Sequence, residues 1–198
     1  SRQQDQQFND FIQRLETMNI HIPIKHLANS AAIMDMPETR YNMVRSGIIM
    51  YGLYPSAQVK KDNLPLEPVM RLKTRISFLK TLPPNRSVSY CRTYITPKDT
   101  LVATVPIGYA DGYSRLLSNK AWAMVRGQKV PLIGNVCMDQ CMFDVTGVEG
   151  VKTGDEVTLF GRPEDGITVD DLAQIVGTIN YEIVCNVGRR IPRIYIES

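Results

Sequence analysis

The chain has 198 residues, of which 43% are hydrophobic and 22% charged, and its formal net charge is +3. This is too apolar for a disordered chain and long enough to bury a core in one or two domains. No apolar run approaches a membrane-spanning length, and beyond Arg189-Arg190 no basic block marks a nucleic-acid footprint, so neither partner is expected.

Phe8, Phe11, Ile12 and Leu15 fall at i, i+3, i+4, i+7, which predicts an amphipathic helix over about residues 5–18. Ile22 to Leu27 reads as a short strand, and Asn29-Ser30 can cap a helix from Ala31 to Met34 that Pro37 stops. Met43-Val44-Arg45 reads as another short strand closed by Gly47. This is βα repetition, and in parallel α/β folds the chemistry collects at strand ends, where His26, Ser30 and Arg45 sit.

A polar, proline-containing stretch, Ser56 to Pro65, reads as a linker between residues 1–60 and 66–198. Beyond it the pattern changes to short β-prone runs: Val69 to Leu82, Leu101 to Pro106, Ala121 to Val125, Lys129 to Ile133, Cys141 to Val145 and Glu156 to Phe160. The turn signals between them predict a mostly antiparallel barrel or sandwich. One helix is expected to interrupt it, from the capping-box pair Thr168 and Asp171 to Gly177.

The four cysteines, Cys91, Cys137, Cys141 and Cys185, are expected to be reduced and mostly buried. Cys137-x-x-x-Cys141 has no second pair and no nearby histidine, so no metal site is expected. The start, Ser1-Arg2-Gln3-Gln4-Asp5, is unlike a secretory leader, and a cytoplasmic protein is expected.

Taken singly, the polar residues admit ordinary readings. Arg45 could be a strand-end charge, His26 a structural histidine, Tyr90 one of nine tyrosines packed in a β-domain, and Asp111-Gly112 a turn. Their neighbours add meaning. Gly47 permits close backbone approach, and Ser30 offers a hydroxyl at a helix start, where anions bind readily.

Six strings in order carry a resemblance. They are His26-Leu27-Ala28-Asn29-Ser30; Asn42-Met43-Val44-Arg45-Ser46-Gly47-Ile48; Ser89-Tyr90-Cys91-Arg92-Thr93-Tyr94; Gly108-Tyr109-Ala110-Asp111-Gly112-Tyr113; and Gly134-Asn135-Val136-Cys137-Met138-Asp139-Gln140, followed by Asn180-Tyr181-Glu182. Together they resemble the second half of an alanine racemase, a pyridoxal phosphate enzyme of fold type III. The resemblance implies the last βα units of a TIM barrel followed by a β-domain that carries the catalytic tyrosine.

It also implies roles. Ser30, Gly47, Ile48 and Tyr181 would hold the cofactor phosphate, Arg45 would face the pyridine nitrogen, and His26 would support Arg45. A guanidinium keeps its proton in a protein, so that nitrogen would stay unprotonated and the ring would be a weaker electron sink. Tyr90 would be the base on one face of the substrate Cα. Tyr109 would line the substrate entryway with Arg115 and Asn135 beside it. The Met138 backbone N–H would contact the substrate carboxylate, flanked by Cys137 and Asp139. The family usually has glycine after the catalytic tyrosine, where this chain has Cys91.

None of the nine lysines stands in the family's cofactor-lysine motif. The expectation is therefore a C-terminal portion, inactive alone, of an enzyme that interconverts L- and D-alanine for bacterial peptidoglycan. Such an enzyme is implied to work as a head-to-tail homodimer with shared sites. Two alternatives stay open: a serine/alanine racemase domain of a membrane-attached glycopeptide-resistance protein, and a catalytically inert, racemase-derived binding module.

Overall fold

The computed structural model describes residues 2–196 and divides into two units, one ending at Val69 and one beginning at Met70. In the first unit α1 (Arg2–Thr17) carries the predicted apolar stripe, but none of its residues is fully buried. Phe8 meets the ring of Tyr41 edge-on at 5.2 Å. Asn29 caps α2 (Ser30–Asp35) by accepting the Ala32 amide at 3.1 Å.

The two strands expected at 22–27 and 43–45 reduce to one parallel bridge, His26 to Met43. Pro23 has no N–H to offer a ladder, and the Asn42 side chain takes the place of main-chain pairing. It accepts the Lys25 amide at 2.7 Å and donates to the Pro23 carbonyl at 2.7 Å. The 56–65 stretch packs within this unit: the Lys60 amide donates to Asp35 and the Asn63 side chain to the Met34 carbonyl.

Among its described residues the second unit holds nine strands in three sheets. They are β1 (Leu72–Arg75), β2 (Phe78–Leu82), β3 (Ser87–Val88), β4 (Tyr94–Ile95), β5 (Thr100–Val105), β6 (Trp122–Val125), β7 (Gln128–Pro131), β8 (Cys141–Asp144) and β9 (Glu156–Phe160). The sheets run β1-β9-β6-β7, β2-β5-β8 and β3-β4, and every ladder is antiparallel. Among the described residues none of the three closes into a barrel.

The single β-run expected over 69–82 is two strands. Ile76, 1% exposed, turns the chain between sheets: its amide bonds Asp155 beside β9, while that of Ser77 bonds Thr104 on β5. The faces turned inward, including Val105, Phe143, Val157 and Leu159, form the core.

Helix α3 (Val169–Val176) begins with the expected reciprocal pair. Thr168 accepts the Asp171 amide, Asp171 accepts the Thr168 amide, and Gly177 ends the helix at φ 80°. A second helix, α4 (Asn180–Cys185), was not expected, and it is tied to α3 by a 2.9 Å bond from Asn180 to Asp170. The cysteine expectation is corrected in part: all four are free, but only Cys137 and Cys141 are buried, while Cys91 and Cys185 sit on loop and helix-end positions open to solvent.

One core group is unpaired among the described residues. The Tyr113 hydroxyl is buried without a hydrogen-bond partner, and burial pushes its pKa well up, so it is neutral. An unmet buried hydroxyl costs about 1–3 kcal/mol. Tyr113→Phe is therefore expected to raise stability by about 1 kcal/mol, read from the denaturant midpoint. A lower midpoint would mean that the hydroxyl has a partner, such as a buried water.

Candidate functional site

In the first unit, capping by Asn29 seats Ser30 in the opening turn of α2, where Ser30 is buried and its Oγ accepts the Gly47 amide at 3.0 Å. The Arg45 amide bonds the Ala28 carbonyl at 2.9 Å, which holds the ends of the two βα segments side by side. The Arg45 guanidinium donates to the Leu27 carbonyl at 3.4 Å. His26 is exposed and, among the described residues, shares no hydrogen bond with Arg45.

Gly47 opens the short 3-10 turn Ile48–Tyr51, and no described acceptor takes the Ile48 amide. A Cβ added at Gly47 would sit 3.5 Å from Ser30 Oγ, over the hydroxyl. A buried hydroxyl, a free amide and a glycine that leaves room above both make a donor set of the kind that fits a phosphate.

In the second unit a cleft of about 530 Å³ is lined by Tyr90, Tyr109, Arg115, Cys137, Met138, Asp139 and Gln140. Sequence reasoning placed the first six of these at a site, and the fold brings them together. The Gly108 to Gly112 segment is a tight turn because the buried Asp111 carboxylate accepts the Gly108 amide at 3.0 Å. That turn is clamped to the opposite wall: the Tyr109 amide bonds the Cys137 carbonyl and the Ala110 amide bonds the Met138 carbonyl, both at 3.0 Å.

The clamp uses the Met138 carbonyl and leaves its amide N–H without a described acceptor. Arg115 stands in the same cleft and donates to the Val136 carbonyl at 3.2 Å, keeping a fixed positive charge near that amide. A free N–H beside a cation suits a carboxylate.

Tyr90 is 71% exposed. Its backbone is unusual: Ser89, Cys91 and Arg92 lie at φ 66°, 61° and 53°, left-handed for three non-glycine residues. Such positions cost roughly 1–3 kcal/mol each and persist only where the surroundings enforce them. This gives the physical reason glycine suits the Cys91 position. Tyr181 stands in the first turn of α4, half-buried, and burial raises its pKa, so it is a neutral hydroxyl.

Several contributors were missed by sequence reasoning. Asp111 was read only as part of a turn, yet it also accepts Arg190 Nε at 2.9 Å, and Arg190 in turn donates to Asp139 at 2.5 Å. The Asp139 carboxylate is thus engaged by the protein. Arg190 is distant in sequence, and only its place in the basic pair Arg189-Arg190 stood out.

Comparisons with known proteins place the chain among its relatives. Residues 69–195 match the alanine racemase C-terminal domain and residues 1–55 the alanine racemase N-terminal domain. An alanine racemase of Clostridium perfringens is 56% identical over 195 residues, covering 98% of this chain and 50% of that protein.

Among solved structures, alanine racemase of Clostridium difficile 630 in complex with cycloserine superposes with a TM-score of 0.91 at 43% identity, over 96% of this chain and 50% of that one. The Bacillus anthracis enzyme with bound L-Ala-P gives 0.88 at 38% identity, over 98% of this chain and 50% of that one. The chain spans about half the length of the relatives it matches. No helix among its described residues is long and apolar enough to cross a membrane. With matches to two domain families and relatives that are alike in sequence and fold, the chain belongs to the alanine racemase family.

Proposed function

We propose that this chain supplies the tyrosine half of a pyridoxal phosphate-dependent alanine racemase that interconverts L- and D-alanine by a two-base mechanism. The observation that carries the reading is the cleft lined together by Tyr90, Tyr109, Arg115 and Met138, whose amide has no described acceptor. The Met138 N–H and the Arg115 charge bind and orient the substrate carboxylate. The Tyr90 hydroxyl, exposed and unpacked, moves a proton to or from Cα on one face. Tyr109, with Cys137 and Asp139 behind it, narrows the approach to an amino acid with a small side chain.

Ser30 Oγ, the backbone after Gly47 and the Ile48 amide would hold the cofactor phosphate, with Tyr181 as a further hydroxyl donor on the family pattern. Arg45 would present a permanently protonated guanidinium to the ring nitrogen, with His26 nearby in sequence. When bound, the cofactor delocalises the electron pair left on Cα after proton removal. The second base, which the family takes from its cofactor lysine, works from the opposite face. In this reading the enzyme is cytoplasmic and a head-to-tail homodimer.

The test is a chimaera in which this chain replaces the matching half of the Clostridium perfringens enzyme. Loaded with pyridoxal phosphate, it should interconvert the alanine enantiomers, followed by chiral chromatography. A folded, cofactor-loaded chimaera that leaves both enantiomers untouched would remove the reading.

A further inference from the structure

We propose that Asn135 is a positioning residue for Tyr90, setting the place of the tyrosine through main-chain hydrogen bonds. The proposal rests on the reading of Tyr90 as a proton-transfer group. The Tyr90 side chain is mostly exposed, so packing does not fix it, and its location follows from the backbone that carries it. That backbone holds left-handed conformations at Ser89, Cys91 and Arg92, and a loop of that kind relaxes unless it is held from outside.

Asn135 holds it from two directions. Its Nδ2 donates to the Tyr90 carbonyl at 2.7 Å, and its own carbonyl accepts the Ser89 hydroxyl at 2.7 Å. The residue is 8% exposed, so water competes poorly for these bonds. The preceding Gly134 lies so close to the loop that an added Cβ would stand 2.7 Å from the Ser89 Cβ. A second brace, Asn119, accepts the Gly134 amide at 2.6 Å and donates to Thr93 at 3.0 Å.

The same strand of chain runs on through Cys137 to Met138, so one segment holds both the tyrosine loop and the amide that faces the substrate carboxylate. Asn135 therefore fixes the spacing between the group that moves the proton and the group that anchors the substrate. The segment's reading from sequence, a neighbour of the entryway, gave no hint of this. The partner atom is a backbone carbonyl, which sequence does not display.

The experiment is a double-mutant cycle in the pyridoxal phosphate-loaded chimaera. Asn135→Ala should lower kcat by roughly 10–10²-fold, the usual cost of a small misplacement, with KM little changed. Exchange of the α-proton from the face served by Tyr90 should fall while exchange from the opposite face continues. Added to Tyr90→Phe, Asn135→Ala should have almost no further effect, because both act through one hydroxyl.

In the chain without cofactor, amide hydrogen exchange over residues 89–93 should speed up in Asn135→Ala. Should that variant fail to fold, Ser89→Ala removes one of the two bonds and should move the same readouts in the same direction. Equal loss of exchange from both faces, a rise in KM alone, or full additivity with Tyr90→Phe overturns the positioning role. If Tyr90→Phe itself retains full racemisation, the parent reading has failed instead.

Discussion

Removing the hydroxyl of Tyr90 is expected to stop most racemisation while one of the two proton-exchange reactions continues. Tyr90→Phe keeps the ring and deletes only the O–H. The side chain is 71% exposed, so the variant should melt within about 0.5 kcal/mol of its parent, as surface substitutions do. In the chimaera, racemisation should fall by roughly 10²–10⁴-fold, the worth of a positioned acid–base group. On the family's assignment the lost face belongs to L-alanine, so D-alanine should still exchange its α-proton with solvent deuterium. Racemisation at the parental rate would remove Tyr90 from the chemistry. Equal loss of exchange from both enantiomers would assign Tyr90 to binding.

Gly108→Ala is expected to damage both stability and activity, for a reason unrelated to backbone torsion. Gly108 is extended, a conformation open to any residue. The obstacle is contact: a Cβ there would stand 2.2 Å from the Cys137 carbonyl oxygen and 2.4 Å from that of Met138. The new Cβ meets main chain, and no side chain can swing aside. The turn must lift away from the opposite wall, straining the bonds from Tyr109 to Cys137 and from Ala110 to Met138.

Forced insertions of this kind cost about 1–3 kcal/mol or more. Because the Met138 amide would shift with the wall, kcat/KM should drop by about 10²-fold. Calorimetry and steady-state kinetics read the two effects. An unshifted melting temperature with parental kcat/KM would show that the walls can part freely and that the clamp is unimportant.

The β-domain was legible in the sequence where local chemistry decides structure. Five of the six β-prone runs appear within a residue or two, and the Thr168–Asp171 box caps α3 as its spacing requires. Pattern failed where a distant partner decides. The 69–82 run is β-prone throughout, and only Asp155 and Thr104, met in space, divide it at Ile76 and Ser77. Helix α4 has six residues, too short for a helical period to stand out. Ile22 to Leu27 has the apolar content of a strand, but Pro23 cannot donate and Asn42 replaces the missing ladder.

The site divides along the same line. Tyr90, Tyr109 and Met138 stood in recognisable strings, and the fold gathers them in one cleft. Two of the groups that hold them, Asp111 and Asn135, stood in the same strings, but the strings did not display their partners. Asp111 meets Arg190 across the domain, and Asn135 meets a carbonyl oxygen that every residue possesses.

The turn at Ile76 and Ser77 couples two alignments that would otherwise be independent. Upstream of it, Leu72, Thr74 and Ile76 alternate inward, and β1 pairs with β9. Downstream, β2 pairs with β5 from Phe78↔Thr104 to Leu82↔Thr100. Side chains in a strand alternate with a period of two, so a one-residue slip exchanges inner and outer faces. With only two residues between the ladders, a deletion in this segment cannot be absorbed in a loop. It must be accommodated by β1, by β2 or by the buried Ile76 itself. Elsewhere the domain has turns with open space around them, such as those at Gly127 and Gly147, beside which a new Cβ meets nothing. Length variation is therefore cheap at those tips and costly at this joint, where a single stretch of chain sets the phase of both sheets.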